Sequence, residues 1–442
     1  MTKTPSDRIY RTAFAGLLAL TMSGLPLFGQ NTRQGKIVGG YFEEWSIYYA
    51  GYNVANLQQN GIASKLTHLL YAFSNLTASP SAACVLADTW ADYQDPYLPS
   101  VNGQPYPGPL FGNFAALQQL EQLYPNLNVL ISIGGSSASN TAAFSTAAST
   151  QAGRQALAAS CISLFISGNV APGITAPGLF DGINIDWEFP TSTDTQNFTL
   201  LLQEFRRQLN QLSATTGKKY LLSFDGPAGA QNYVNINLAQ AAQAVDFITV
   251  DGYNYAGSWE TQTNDASSLF DSIKDPLYGQ GLDIDSTVTA YLQAGVPPSK
   301  YTMGVPLYGA GWTGAPDVNN GLYQNSTGPS PVPLANGTGL CTDLSGNTPG
   351  CDVLLTPGLA TYSTLVNLLP NGYTSYFDLQ RIAVSLFDPT PGTFYTYDNP
   401  LTVSLKMLYI TFKGLGGAYV WAVKDDDANG TMVKTMARFL TP

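Results

Sequence analysis

The stretch Phe180-Asp181-Gly182-Ile183-Asn184-Ile185-Asp186-Trp187-Glu188-Phe189-Pro190 sets carboxyl and amide side chains into an apolar run. As a strand over 182–188, its side chains alternate with period two. Asn184, Asp186 and Glu188 then share one face, and Ile183, Ile185 and Trp187 share the other. The apolar face requires a cover of helices, so the polar face looks into the core, where unpaired charge is costly. Chemistry is the reason to keep charge there. A solvent-facing edge strand would explain the acids, but not the apolar alternation behind them. The same acids could hold a metal, but the chain has one histidine and no calcium-type loop, so no metal and no cofactor is expected.

On either side of this stretch, and including it, β-branched or aromatic runs predict strands at 36–42, 66–73, 128–134, 182–188, 220–225, 247–253, 301–308 and 417–422. Helical patterns lie between most of them, as at 198–211, where Leu200, Leu201, Phe205 and Leu209 recur at helical spacing. Strand alternating with helix implies parallel pairing. Eight such strands make an α/β fold, a closed (β/α)8 TIM barrel over 35–440, with Glu188 at the strand end that opens into the mouth. Residues 313–388 break the rhythm: rich in Gly, Pro, Asn, Ser, Thr and Tyr, they fall between the seventh and eighth strands. That is too long for one structureless loop. A small α+β insertion on the rim is expected there, and a last helix at 430–440.

Composition narrows the function. Among 442 residues only 19 are Lys or Arg and the net charge is −11, which excludes a partner with a phosphate backbone. The single histidine, His68, sits in an apolar run and reads as a packed core residue. A multi-histidine zinc centre is therefore excluded, and a Ser-His-Asp hydrolase would depend wholly on that residue. Lys3, Arg8 and Arg11 precede an apolar stretch from Ala13 to about Phe28, then polar Gln30-Asn31-Thr32, so 1–30 reads as a secretory signal peptide. Gly24 and Pro26 interrupt the stretch, which is also short for a membrane span. The mature protein is expected to be secreted or periplasmic, free of the membrane and monomeric. Export permits disulfides. Cys341 and Cys351 bracket a Gly-, Thr- and Asn-rich loop and are the expected pair, leaving Cys84 with Cys161.

The quoted segment resembles the Asp-x-x-Asp-x-Asp-x-Glu signature of family 18 glycoside hydrolases, the chitinases and their relatives. Similar agreement covers 35–440: Thr67-His68-Leu69-Leu70-Tyr71-Ala72-Phe73 resembles the second strand and Leu130-Ile131-Ser132-Ile133-Gly134-Gly135 the third. Met303-Gly304-Val305-Pro306-Leu307-Tyr308-Gly309 resembles the seventh, and Gly416-Gly417-Ala418-Tyr419-Val420-Trp421 the eighth. The resemblance implies cleavage of chitin or chito-oligosaccharides without a second protein carboxylate as nucleophile. In it Glu188 is the acid, Asp186 orients the substrate's acetamide, Tyr253 binds the acetamide oxygen, and Asn184 and Asp181 complete the signature. Trp421 is the floor beneath the sugar. Tyr41, Phe73, Tyr308, Asn254, Trp259 and Met303 are further binding positions by motif place.

The chain departs from the family pattern at several positions. Asn184 and Asn254 stand where Asp is usual, Asp251 where Met is usual, Ser136 where a tryptophan is usual and Ala310 where Arg is usual. Asp251 shares a strand face with Tyr253 and is expected to replace part of the missing charge. These departures leave three readings: a retaining chitinase, a catalytically impaired chitin-binding lectin, or an endo-β-N-acetylglucosaminidase acting on peptidoglycan or N-glycans.

Overall fold

The computed structural model describes residues 35–48, 50–78, 82–333 and 356–441. Eight parallel strands form its centre: β1 Ile37–Glu43, β2 His68–Leu76, β3 Asn128–Gly135, β4 Gly182–Trp187, β5 Leu221–Gly226, β6 Phe247–Val250, β7 Tyr301–Pro306 and β8 Gly417–Trp421. They neighbour one another in chain order, and β8 returns to β1 through Ile37↔Gly417, so the sheet closes and has no free edge within it. The signal-peptide stretch 1–30 and the pair Cys341 and Cys351 lie outside the described residues. Cys84 and Cys161 are joined by a disulfide that ties a short strand, Cys84–Leu86, to helix Gln151–Cys161.

The alternation along β4 places its two faces. Trp187 stacks on Phe144 (5.3 Å between centroids) and meets Phe198 edge-on (5.8 Å), both on surrounding helices. Ile183 and Ile185 are fully buried on the same side. Asn184 and Asp186 face inward. At Gly134 on β3, φ is +121°, and a Cβ there would fall 2.0 Å from the carbonyl oxygen of Asp186, so no side chain fits between the two strands at the mouth. The helix predicted at 198–211 extends over Thr195–Thr216 and stops at Gly217, whose φ of 72° is left-handed.

Two strands are shorter than their sequences suggest. The run 247–253 leaves the sheet after Val250, because Asp251 and Tyr253 turn over the barrel mouth. The run 301–308 breaks after Pro306, and Tyr308–Thr313 opens a second, antiparallel sheet with Gly328–Pro329, Leu359–Thr361, Thr374–Asp378, Ala383–Asp388 and Thr393–Tyr397. The bounds 313–388 are therefore too narrow. Tyr308, the expected end of the 301–308 strand, is the first residue of this sheet, and the closing strand Thr393–Tyr397 pairs back onto the opening one. Trp312, Phe387 and Phe394 fill the core of this module. Buried Arg381 clamps it to the loop after β6, pairing with Asp265 (2.7 Å) and Asp275 (3.0 Å). Ala310 lies in that module core and not in the barrel mouth.

Candidate active site

The inward side chains of the barrel form a neutral layer with an acidic layer above it. In the neutral layer the Asn184 carbonyl oxygen accepts from Ser132 Oγ (2.8 Å) and from the Tyr41 hydroxyl (3.2 Å), while its Nδ2 donates to Ser223 Oγ (2.9 Å). An amide suits the place because it gives and takes at once. The contacts join β1, β3, β4 and β5 beneath the mouth.

Above it lie four carboxyl groups: Asp186 on β4, Glu188 just past its end, Asp225 on β5 and Asp251 just past β6. Thr249 Oγ1 lies 3.1 Å from Asp225 Oδ1 and 3.3 Å from the Tyr41 hydroxyl. The Tyr419 hydroxyl donates to Asp251 Oδ1 at 3.0 Å. Asp186 Oδ1 is buried without a partner, an acceptor facing into the barrel. Burial, then the neighbouring charges of Glu188 and Asp251, holds the Asp186 carboxyl well above its ordinary range. Burial and Asp251 push Glu188 up to about 7. Asp225 is raised by burial and then by Asp251, Asp186 and Glu188. Asp251 rises only to about 6, because hydrogen bonds from Tyr253 and Tyr419 offset its burial. A carboxyl at the end of a barrel strand that still holds its proton near neutrality can act as a general acid.

An aromatic stack borders the acids. Phe73, after β2's inward Ala72, lies parallel to Trp421 at the end of β8 (5.7 Å, 23°), and Trp45 continues the stack on Phe73 (6.0 Å, 29°). Tyr41 closes on Trp421 at 5.1 Å. Past the ends of β6 and β7, Tyr253 meets Tyr308 edge-on (5.9 Å), and the Tyr308 hydroxyl donates to Asn254 Oδ1 (2.8 Å). Sugar rings carry apolar faces that stack on such surfaces.

The structure thus gathers Glu188, Asp186, Asn184, Tyr253, Asp251, Tyr41, Trp421, Phe73, Tyr308 and Asn254 around one mouth. Trp259 is 65% exposed and lies over Gly257, a rim position outside that cluster. Two expected site residues are elsewhere. Asp181 precedes β4, at the barrel end opposite Glu188, where it accepts from the Val129 amide (2.9 Å) and pairs with Lys218 (2.8 Å). Its place is structural. Met303 pairs in register with Ala418 and Val250, on the outward face of the sheet, because its neighbour Gly304 is the inward residue beside Tyr419. His68 lies at the closed end of the barrel against Phe247 (5.2 Å), its imidazole pushed down to about 4 by burial.

Sequence reading passed over Asp225, Tyr419 and Trp45. For Asp225 the signal was present: Ser223 and Asp225 alternate with Leu222 and Phe224 as the residues of β4 do. Tyr419 shares the parity of Trp421, two residues on. Nothing local marks Trp45.

Carboxyl groups and stacked aromatics in a barrel mouth are the equipment of a carbohydrate-cleaving enzyme. The sequence pattern described as Glycosyl hydrolases family 18 matches residues 37–426, and the chain belongs to that family. Chitinase A1 of Niallia circulans is 31% identical over 434 residues, covering 88% of this chain and 56% of that protein. Chitinase 1 of Aphanocladium album is 30% identical over 392 residues, covering 86% and 79%. The chain therefore spans little more than half the length of the Niallia relative. Among solved structures, the catalytic domain of the psychrophilic chitinase B from Arthrobacter TAD20 matches with a TM-score of 0.80 at 30% identity, covering 92% of this chain and 96% of that one.

Proposed function

We propose that this protein is a secreted chitinase that hydrolyses β-1,4 linkages between N-acetylglucosamine units with retention, the substrate's own acetamide acting as nucleophile. Glu188 gives its proton to the glycosidic oxygen as the bond to the anomeric carbon breaks. The acetamide carbonyl oxygen attacks that carbon from the other side, giving a cyclic oxazolinium ion. Asp186, with a free acceptor oxygen, takes the acetamide N–H and faces the positive charge that develops. The Tyr253 hydroxyl donates to the acetamide oxygen and fixes its line of attack. Water then opens the ring, surrendering its proton to the Glu188 carboxylate, and the acid is restored.

The observation that carries this reading is the Glu188 carboxyl at the strand end, its proton held up to about 7 by burial and by Asp251. The similar proteins of Niallia circulans and Aphanocladium album are chitinases, which supports the same substrate. The leader at 1–30 supports export. Turnover of the N-acetylglucosamine hexamer by wild type and by Glu188→Gln tests it: the variant is expected to lose roughly 10²- to 10⁴-fold in kcat. Hydrolysis at the wild-type rate by Glu188→Gln, or a wild type that binds the hexamer without cleaving it, contradicts the reading.

A further inference from the structure

We propose that Asp251 is a positioning residue for this reaction: gripped by the hydroxyls of Tyr419 and Tyr253, it is the fixed anion of the mouth, governing the acid Glu188 and aiming Tyr253. The proposal deepens the chitinase reading and rests on it.

Four carboxyls share this mouth, and among the described residues no Lys or Arg bears on any of them. They cannot all ionise together, so the first charge settles where hydrogen-bond donors are. Asp186 Oδ1 has none. Asp225 has the hydroxyl of Thr249, which also faces Tyr41. Asp251 has two phenol donors, Tyr419 at 3.0 Å and Tyr253. The backbone makes room for that grip: a Cβ at Gly304 would lie 2.8 Å from the Tyr419 hydroxyl oxygen and 2.9 Å from Tyr253 Cε1. Only glycine on β7 lets both rings approach.

Among the described residues, the titratable groups that feel the charge of Asp251 are all acids or phenols. They are Asp186 and Glu188 from β4 and its end, Asp225 from β5, Tyr41 from β1 and Tyr419 from β8. Tyr253 and Tyr255 follow β6, Tyr301 and Tyr308 come from β7 and the strand after it, and Tyr291 from helix Ile284–Gln293. With no cation to neutralise it, the Asp251 charge acts on Glu188 directly and holds the acid proton there. In the free protein it also holds the Tyr253 hydroxyl at the mouth, and the phenol's one proton swings from Asp251 to an incoming acetamide oxygen.

The chain has six glutamates, so carboxyl-labelled glutamate gives a spectrum simple enough to follow Glu188, assigned by its loss in Glu188→Gln. The full-length protein is titrated by ¹³C NMR as wild type, Asp251→Asn and Tyr419→Phe. The Glu188 midpoint is expected to fall by about one pH unit in Asp251→Asn, and by less in Tyr419→Phe, which keeps the charge but loses a donor. Should Asp251→Asn not fold, the Tyr419→Phe shift decides. On chito-oligosaccharide the alkaline limb of kcat moves down with the midpoint, with KM little changed. An unmoved midpoint overturns the proposal, as does a kcat lowered equally at every pH with its limb in place. A wild type inert toward the oligosaccharide defeats the chitinase reading instead, and the titration still decides the role of Asp251.

Discussion

Phe73 and Trp421, from the second and eighth strands, lie face to face at 5.7 Å and 23° beside the carboxyl cluster, and Trp45 extends the stack to the turn after β1. The apolar face of a sugar ring stacks on aromatic surfaces, so this wall is the expected place for it. Replacing Trp421 by Ala is expected to raise KM for the N-acetylglucosamine hexamer roughly three- to tenfold, the size of a lost aromatic contact. Trp45→Ala, one ring further out, has a smaller effect. Steady-state kinetics on the hexamer compare the two, and an unchanged KM in Trp421→Ala removes that wall from the binding site.

Glu188 is held protonated at a cost to folding. Its ordinary carboxyl range lies near pH 4.5 and its folded value is about 7, so the unfolded chain releases the proton first as pH rises. The folded state therefore loses stability between these values, and below them there is no penalty. Glu188→Gln is expected to be more stable than wild type at pH 8 by roughly 1–3 kcal/mol, and equal to it at pH 4. Denaturant unfolding at the two pH values measures the difference. A gain that is the same at both would mean that the carboxyl is not held protonated.

Met303 faces the helices and Asp181 closes the far end of the barrel. Met303→Leu keeps the volume and is expected to cost under about 1.5 kcal/mol with kcat and KM unchanged. Asp181→Asn removes the partner of Lys218 and is expected to lower Tm while leaving kcat in place. Kinetics of both variants, set beside their melting curves, separate structural from catalytic roles. A kcat loss in either places it in the site after all.

Arg381 is 1% exposed between Asp265 and Asp275. Arg381→Met leaves two buried carboxyls without their cation, which is expected to cost about 3–5 kcal/mol. Urea unfolding measures it. A cost near zero would show that the clamp between the antiparallel sheet and the loop after β6 does not hold them together.

Much of this was legible from the residues because the barrel repeats one simple signal. Apolar side chains alternate with Asn184 and Asp186 on β4, and strand parity alone sends them inward. The same parity explains the error at Met303: the residue lies one step from inward Gly304, and a motif position does not say which way a side chain turns. The run 301–308 carries Tyr308 one residue too far, into the antiparallel sheet, because an apolar strand looks alike whether its neighbours run parallel or antiparallel. Trp45 joins the aromatic stack through Phe73, from another strand, so no local pattern announces it. The grip of Tyr419 on Asp251 joins the eighth strand to the end of the sixth, a contact made by barrel closure.

In the proposed reaction the sugar's own acetamide attacks while Glu188 supplies the proton. Following the first product by ¹H NMR as the protein cleaves the N-acetylglucosamine hexamer, alongside the de-N-acetylated hexamer, tests this most directly. The β-anomer should form first, and the de-N-acetylated chain should remain intact. Initial release of the α-anomer, or equal cleavage of the chain that lacks its acetyl groups, would contradict it.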